Sequence, residues 1–353
     1  YIDLVVYSPA TSTLNVAQNA TITGDRVLFS AQSSSNTINL ASGANVTAVA
    51  KVEDNGAGVL NLASNITVTN SINGIILDNL SINLTGASSL KSASTTAANG
   101  KINLGSVNGA QNLTVEATGA ITMGYVGQST SLGTVTVTKS ASVLFNDAFT
   151  AANVVLSDTA GTIDFDCPTV ITTSLTTAAK AYSVIFGDTT VLAGAPVFLN
   201  TGDVVFAGAI TSLTSGATIA GGSLADVSLA GTIISDGAFN IGPGLNSITV
   251  ANGIQLILNS TSVESTFASP ISLNGLNVGS LNLLGVGTLT LSANSTAGVT
   301  TGDSINVTNG TLNVTGTLGS ASTIALTNAT LSGAGGTTGA VTTTVGNVAP
   351  GGT

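Results

Sequence analysis

The chain has 353 residues, of which 43% are hydrophobic and only 6% are charged. Typical soluble proteins carry about 25% charged residues, so Ser, Thr, Asn and Gly must keep this chain soluble. Amphipathic helices need a charged outer face, which this composition does not supply. Simple disorder combines low hydrophobicity with high net charge, so it is disfavoured as well. The 42 glycines follow no period of three, which argues against collagen.

The net charge of −10 leaves six basic residues in the whole sequence. They cannot form a patch that neutralises a phosphate backbone, so we expect no nucleic-acid partner. The same shortage disfavours attraction to anionic lipid. No run of about 20 apolar residues occurs, so this segment is expected not to insert into a membrane. The basic residues are Arg26, Lys51, Lys91, Lys101, Lys139 and Lys180.

A short strand motif recurs along the chain: a β-branched residue (leucine only at position 60), any residue, then a bulky apolar residue. In chain order it occupies 38–40, 60–62, 82–84, 102–104, 121–123, 143–145, 163–165, 184–186, 204–206, 227–229 and 248–250. The third motif position recurs about every 21 residues, a period within the range of solenoid repeats. Positions i and i+2 of a strand point to the same face. Each copy therefore predicts two inward apolar side chains that stack on those of the next copy in one column.

Phenylalanine occupies the third motif position in four consecutive copies, Phe145, Phe165, Phe186 and Phe206. Strands that stack in register lie about 4.8 Å apart. At that distance the four rings are predicted to form an offset-stacked ladder in the interior.

Further strand-like segments fall between the motif copies. They are VTAV (46–49), ITVT (66–69), LTV (113–115), TVTV (134–137), IIS (233–235) and LIL (256–258). Two or three short strands in each repeat, separated by turn residues, are typical of a β-solenoid. We therefore predict an all-β fold, a right-handed parallel β-helix with rungs of about 20–22 residues. Dividing 353 residues by about 21 gives 16 or 17 rungs, and after Val250 the register is ambiguous.

A β-sandwich or a propeller is the alternative architecture. A sandwich would show strands at about 8–12-residue spacing without columns in a constant register. The columns therefore favour the solenoid.

The last part of the chain has a distinct pattern of its own. It contains GTLTLSANST (287–296), NGTLNVTGTLG (309–319) and ATLSGAGGTTGAV (329–341), followed by Ala349-Pro350-Gly351. This pattern resembles the autotransporter-associated β-strand repeat of bacterial type V secreted proteins. The low-charge, Thr/Asn/Gly-rich composition is also similar to that of rickettsial surface antigens. We expect solenoid rungs over 1–286 and the repeat over 287–353, which continues the same solenoid in one elongated domain of a longer chain.

The resemblance implies a passenger domain that is displayed outside a bacterium. Such a passenger is attached to the outer membrane through a barrel, which lies outside these residues. An adhesin or a structural surface module is the function implied, with a host-cell surface receptor, a glycan or a second copy as partner. A surface-layer or filament subunit that self-assembles is one alternative. A carbohydrate-active β-helix enzyme is another.

Acidic residues supply the best candidates for chemistry. Asp164 and Asp166 lie on one face of a strand opposite to Phe165, and paired carboxylates can perform acid/base catalysis. Asp147, Asp166 and Asp188 recur at close to the motif spacing, which suits a hard cation shared between adjacent rungs. Asp also closes turns at strand ends, and this interpretation is favoured. We therefore predict no enzyme, no metal and no cofactor.

Three further patterns are interpreted as structural. Cys167 is expected to be a small buried residue, since a catalytic thiol needs a histidine base and the chain has no histidine. Thr-x-Thr pairs are too sporadic for an ice-binding face. N-x-S/T triplets are interpreted as asparagines stacked in solenoid turns rather than as glycosylation sites. They begin at Asn19, Asn45, Asn65, Asn79, Asn83, Asn112, Asn259, Asn294, Asn306, Asn309, Asn313 and Asn328.

Overall fold

The computed structural model describes residues 3–8, 12–222, 225–273, 279–295, 302–319, 322–334 and 337–350. The fold is all-β with 62% strand, a parallel β-solenoid of about 15 turns, so the predicted fold class is confirmed. Among the described residues, helix is limited to one 3-10 turn at Ala97–Asn99. The chain divides into two compact units, Tyr1–Thr172 and Thr173–Thr353. Of the expected C-terminal repeat, residues 296–301, 320–321, 335–336 and 351–353 lie outside the described residues.

Short strands separated by tight turns make up the first unit. They are β1 (Asp3–Ser8), β2 (Thr13–Val16), β3 (Thr21–Ala31), β4 (Thr37–Leu40), β5 (Asn45–Asn55), β6 (Val59–Leu62), β7 (Asn65–Val68), β8 (Gly74–Leu84), β9 (Ser88–Ser92), β10 (Ile102–Asn108), β11 (Leu113–Ala117), β12 (Ala120–Met123), β13 (Leu132–Ser140), β14 (Ser142–Phe145), β15 (Phe149–Thr159) and β16 (Thr162–Phe165).

The strand β17 (Thr169–Thr177) includes residue 172, where the first unit ends. The second unit then continues with β18 (Ser183–Phe186), β19 (Thr190–Leu192), β20 (Val197–Phe198), β21 (Val204–Phe206), β22 (Ile210–Leu213), β23 (Ala217–Ile219), β24 (Asp226–Leu229), β25 (Thr232–Ser235), β26 (Phe239–Ile241), β27 (Ser247–Val250), β28 (Ile254–Leu258), β29 (Glu264–Phe267), β30 (Ile271–Leu273), β31 (Ser280–Gly285), β32 (Thr288–Leu291), β33 (Ser304–Thr308), β34 (Thr311–Val314), β35 (Thr323–Gly333) and β36 (Ala340–Pro350).

Three parallel sheets form the walls of the first unit. Sheet A stacks β1, β3, β5, β8, β10, β12, β14 and β16. Sheet B stacks β2, β4, β6, β8 and β10. Sheet C stacks β3, β5, β7, β9, β11, β13 and β15. The strands β3, β5, β8 and β10 belong to two sheets because they bend at a corner, so each turn of the chain visits A, B and C in order.

Three sheets likewise form the second unit. Sheet D stacks β18, β21, β24, β27 and β30. Sheet E stacks β19, β22, β25, β28, β31, β33 and β35. Sheet F stacks β20, β23, β26, β29, β32, β34 and β35. Strands on both sides of residue 287 therefore belong to the same sheets, E and F.

Alternation along each strand separates the interior from the outer wall. In β14, Val143 and Phe145 are buried, whereas Ser142 and Leu144 lie on the outer side. The same alternation in β16 buries Ile163 and turns Asp164 outward. Because the interior positions are apolar in all three sheets, each turn buries its hydrophobic residues against the turns on either side of it.

The four predicted ladder phenylalanines are all fully buried, which confirms their interior position. In the first unit the rings of Phe145 and Phe165 stack with centroids 4.6 Å apart, and Phe149 meets both rings edge-on. In the second unit Phe186 and Phe206 stack at 5.4 Å. Offset and edge-to-face rings contribute about 0.5–1.5 kcal/mol per pair beyond the burial of their area.

The single column predicted from Leu40 to Val250 is wrong at one step. Leu84 was expected to stack on Leu104, but Leu104 lies opposite Leu77 in β8. The early motif copies at 38–40, 60–62 and 82–84 therefore lie on sheet B, and the later copies in this unit lie on sheet A. The error has a physical cause: β8 bends around a corner and carries an inward apolar pair on each sheet, so both registers fit the pattern.

The register in the second unit follows the prediction and extends past Val250. Val184, Val204, Val227 and Ile248 lie in one column of sheet D, as the motif positions require. Ile271 continues this column in the next turn. The strand-like segments predicted between the motif copies also form strands, in β5, β7, β11, β13, β25 and β28.

Turn length varies more than the sequence predicts. On sheet A, the inward residues that lie opposite one another in successive turns are separated by unequal numbers of residues along the chain. The longest turn runs from Ile75 to Ile102 and includes the 3-10 segment, and the shortest runs from Ile102 to Ile121. The long turns near the start of the chain explain why it forms about 15 turns rather than 16 or 17. The column consists of Val27, Val52, Ile75, Ile102, Ile121, Val143 and Ile163.

An asparagine ladder runs along the outer side of sheet B. Asn15, Asn39, Asn61 and Asn83 lie opposite one another in successive strands. The amide Nδ2 of each of the last three donates to Oδ1 of the asparagine one turn earlier, at 2.6, 2.7 and 2.9 Å. The stack replaces hydrogen bonds to water without any charged group.

Asparagines also stack at corners, as predicted for the N-x-S/T positions. Asn19, Asn309 and Asn328 adopt the left-handed backbone conformation, with φ of 61°, 64° and 49°. Asn tolerates this conformation better than most residues with a side chain. Asn328 Nδ2 donates to Asn309 Oδ1 at 2.9 Å, so the two corners stack on each other. In contrast, three sequon residues lie within strand registers rather than at corners, so the prediction is wrong for Asn83, Asn306 and Asn313.

The Phe stack predicts a large cost for truncation of one ring. Phe145→Ala removes contacts with two aromatic rings and leaves a cavity between stacked turns, so we expect the free energy of unfolding to fall by about 3–5 kcal/mol. Ser142→Ala, in the same strand but on its outer side, should change it by less than about 0.5 kcal/mol. Urea unfolding monitored by circular dichroism measures both. Equal effects of the two changes would contradict an interior ladder.

The asparagine ladder predicts that an interior member contributes more than a terminal one. Asn61→Ala removes two amide hydrogen bonds and Asn15→Ala removes one. A net contribution of about 0.5–1.5 kcal/mol per bond gives a loss of about 1–2 kcal/mol for Asn61→Ala and about half of that for Asn15→Ala. Urea midpoints of the two variants test this ratio. A larger loss for Asn15→Ala would show that the outer amides do not act as a ladder.

Candidate functional site

The two aspartates predicted as catalytic candidates lie on the outer side of sheet A. Asp164 is half-buried within β16, and Asp166 is exposed just after that strand. Phe165 between them points inward, as expected from the alternation. On the outer side Asp164 lies opposite Leu144 of the preceding turn, an apolar neighbour that offers no hydrogen bond.

This position explains the electrostatics of Asp164. Burial raises the pKa of its carboxyl group above the ordinary aspartate value, and the nearby charge of Asp166 raises it further. Its Oδ1 is buried and accepts no hydrogen bond from the described residues. The raised pKa of Asp164 is a property expected of a general acid. Here it arises from burial in the wall of the solenoid and from the like charge of Asp166.

The three aspartates predicted as cation candidates are placed differently from one another. The register that sets Phe145 opposite Phe165 makes Asn146, rather than Asp147, the counterpart of Asp166. Asp188 belongs to the second unit, where its Oδ1 accepts from the backbone N–H of Thr189 and its carbonyl accepts from Thr190 Oγ1 at 2.9 Å. That is the turn-closing geometry of aspartate. In the described parts of the chain, no group of three or more His, Cys, Asp or Glu is arranged to hold a metal ion.

Cys167 is buried, with 1% of its surface exposed, as the sequence suggested. Its Sγ lies 3.8 Å from Thr169 Oγ1. A buried thiol of this kind acts as a small core residue.

A groove that the sequence did not indicate lies at the corner between sheets A and B of the first unit. Its volume is about 470 Å³, and it is lined by residues from four successive turns, between Asp78 and Asp147. This volume falls within the range of about 300–1,000 Å³ that is usual for small-molecule sites. We call it the corner groove.

The corner groove exists because the corners differ in length. Each corner can be measured as the stretch of chain between its two inward residues. The first corner runs from Ile75 to Ile82. The next two are shorter and run from Ile102 to Val107 and from Ile121 to Val126. The following corner runs from Val143 to Phe149. Two short corners of equal length therefore lie between two longer ones, and the outer surface is recessed above the short pair.

The wall on one side of the corner groove is Asp78-Asn79-Leu80. These three residues stand where the neighbouring strand has only Gly105, so the chain bulges here, with Asp78 and Asn79 exposed and Leu80 buried. The carboxylate of Asp54 holds the bulge in place. Its Oδ2 accepts from the backbone N–H groups of Asn79 and Leu80 at 2.9 and 2.7 Å, and its Oδ1 accepts from Asn79 Nδ2 at 2.9 Å.

Glycines form the floor of the corner groove. A Cβ on Gly105 would lie 2.5 Å from the carbonyl oxygen of Asp78, and a Cβ on Gly124 would lie 2.3 Å from the carbonyl oxygen of Gly105. Both distances are far below a normal contact, so only glycine allows the short corners to stack this closely. At these two positions the floor therefore presents backbone rather than side chains.

The opposite side of the corner groove carries Tyr125, Asn146 and Asp147. Tyr125 is 40% exposed, so its ring is accessible from the groove. The side chains of Tyr125, Asn146, Asp147 and of Asn103 on the floor form no hydrogen bond with the described part of the chain. These groups are free to bind a ligand without breaking an internal bond.

The electrostatic character of the corner groove is acidic. Asp78 and Asp147 are among its lining residues, and none of the lining residues is basic. The groove therefore repels anions and suits neutral or cationic ligands. Of the aspartates singled out from the sequence, only Asp147 contributes to it. The signal that was missed is the shortening of the segments that join sheet A to sheet B, which becomes visible only once the register is known.

Comparisons with known proteins identify no relative of the chain. No protein-family model matches it, and neither the curated proteins nor the solved structures contain a significant match. Within the described residues, no helix has the length and apolar character needed to cross a membrane.

The raised pKa of Asp164 predicts a pH-dependent effect of Asp164→Asn. A carboxyl group with a raised pKa binds more protons in the folded chain than in the unfolded chain, so it lowers stability as the pH rises through that pKa. Asp164→Asn should therefore stabilise the chain near pH 7, by no more than about 1 kcal/mol because the group is partly exposed. The gain should disappear below the ordinary aspartate pKa. Thermal unfolding from pH 3 to pH 8 measures it, and a gain that does not depend on pH would contradict this explanation.

Proposed function

We propose that this chain is a surface-exposed passenger of a bacterium, displayed outside the cell as an adhesin or structural surface module. The observation that carries the proposal is the outer wall of the parallel solenoid. This wall is polar but almost uncharged, and it presents side chains that both donate and accept hydrogen bonds. The asparagine ladder on sheet B is its clearest part.

Four charged residues on sheet C lie opposite partners of opposite charge, which supports a neutral contact surface on that sheet. Lys91 Nζ lies 2.8 Å from Glu116 Oε1 on sheet C. Lys139 lies opposite Glu116 on one side and opposite Asp158 on the other. Opposite charges in adjacent strands balance one another locally, so the outer side of sheet C offers hydrogen bonds rather than a field of one sign.

The C-terminal pattern supports the autotransporter part of the proposal. Its pieces TLTL and TLNV form β32 and β34, and ATLSG ends β35. Thr288, Thr311 and Thr330 lie in one column of sheet F. The residues on which the resemblance rests therefore stack on one another, as a repeat that extends a β-helix would. Attachment to the outer membrane through a barrel outside these residues is part of the same proposal.

The adhesin is favoured over the enzyme because the aspartates with catalytic potential do not line the corner groove. Asp164 and Asp166 lie on the wall of sheet A, and the lining of the groove includes neither. The surface-layer alternative relies on the same neutral wall. Self-assembly is therefore an outcome that the experiment must separate from adhesion.

Latex beads coated with the purified chain test the proposed function on cultured epithelial cells. We expect saturable binding to the cells that excess free chain competes away, whereas albumin-coated beads stay unbound. The variant Asp164→Asn/Asp166→Asn should bind equally well. Beads that clump without binding cells would overturn the adhesin in favour of self-assembly. Release of reducing sugar from surface polysaccharides, lost in the double variant, would overturn it in favour of an enzyme.

A further inference from the structure

The corner groove has the composition of a site for a neutral sugar. We propose that it binds one or two hexose units of a neutral glycan, with Tyr125 against the apolar face of a ring and with Asp78, Asp147 and nearby amides on its hydroxyl groups. This inference rests on the proposed adhesive function, because it assigns the ligand class and the site.

The polar groups match sugar hydroxyls in kind. Each hydroxyl group both donates and accepts, so a sugar needs acceptors as well as donors along its edge. The carboxylates of Asp78 and Asp147 supply acceptors, and charge-assisted bonds to carboxylates are the stronger ones. The amides of Asn103 and Asn146 supply both kinds of group. Since Asn103, Asn146 and Asp147 are not engaged with the described part of the chain, they can bind without an internal cost.

Tyr125 supplies the apolar contact that such a site requires. One face of a hexose ring presents C–H groups, which pack against the face of an aromatic ring. Tyr125 lies at the edge of the corner groove and keeps 40% of its surface exposed. An aromatic body with a polar tip suits an interface that is apolar at one end and wet at the other.

The charge of the corner groove narrows the class of ligand. Two carboxylates line it and no basic residue does, so phosphate esters, uronic acids and sialic acids are repelled. A divalent cation needs about six or more oxygen ligands in a compact set. The described residues contain no group of three or more acidic, Cys or His side chains arranged for a metal ion. Among sugars, a neutral one therefore fits best, because it uses the carboxylates as hydrogen-bond acceptors without charge repulsion.

The rigidity of the walls fits a preformed site. Asp54 fixes the Asn79-Leu80 bulge through two backbone hydrogen bonds, and the glycine floor cannot shift without separating stacked turns. A site of this kind loses little conformational freedom when a ligand binds.

The experiment measures binding of neutral and anionic sugars to the full chain by saturation-transfer NMR and calorimetry. The probes are trisaccharides ending in glucose, galactose, mannose or an N-acetylhexosamine, with sialyllactose as the anionic comparison. We expect at least one neutral probe to bind, with sialyllactose at least 10-fold weaker than its neutral parent. Tyr125→Ala and Asp147→Asn should each weaken the neutral probe by about 10-fold or more, which corresponds to about 1.4 kcal/mol.

Matched control variants lie outside the corner groove. Tyr7→Ala removes another exposed tyrosine, and Asp166→Asn removes an aspartate that directly follows a strand of sheet A. Both should leave the affinity unchanged, and circular dichroism should show all four variants folded. No binding of any neutral probe at 10 mM, or equal loss in the control variants, would overturn the inference.

Failure of the inference and failure of the proposed function give different results. Beads coated with Tyr125→Ala/Asp147→Asn that adhere to cells as well as the original beads would overturn the groove site and leave the adhesin standing. Sugar binding that these changes abolish, together with original beads that do not adhere, would overturn the adhesin and leave the groove site standing.

Discussion

Parallel pairing between successive turns constrains every other feature of each unit. A backbone N–H or C=O that leaves the register is left without a partner at a buried position, so each strand must lie opposite its neighbours one turn earlier and one turn later. The interior positions then repeat from turn to turn, which is why Phe145 falls on Phe165 and Phe186 on Phe206. Only two features can then vary from turn to turn: the identity of the outward side chains and the length of the corners.

The outward side chains show how a wall stays soluble with so few charges. Charged residues on adjacent strands lie about 4.8 Å apart, so like charges repel and opposite charges attract. From Lys91 to Asp158 on sheet C, positive and negative residues alternate from strand to strand. Elsewhere the chain uses amides and hydroxyls, which satisfy one another in stacks such as Asn39 on Asn15. Because an amide is both donor and acceptor, identical residues can stack without repulsion, which is impossible for a charged residue.

The fold was predictable from the sequence because the interior positions of a solenoid recur with a nearly constant period. Apolar pairs at that period define strands, and the buried Phe pairs follow directly. The step from Leu84 to Leu104 was not predictable, since β8 carries inward pairs on two sheets and the spacing fits both. Asp164 and Asp166 were correctly placed on the outer side. Their surroundings were not predictable, because the pKa of Asp164 is raised first by burial, which depends on the packing of adjacent turns, and second by Asp166.

The corner groove could not be predicted from the sequence for a related reason. It is not encoded by a motif but by a difference in length between neighbouring corners, and lengths can be compared only after the register is known. Gly105 and Gly124 mark the short corners, yet the sequence has 42 glycines and most have other roles. A corner can be lengthened or shortened without moving any interior side chain, because the strands on both sides keep their partners. Binding sites on such a solenoid are therefore expected at corners of unequal length, where the ligand surface can change while the stacked interior stays the same.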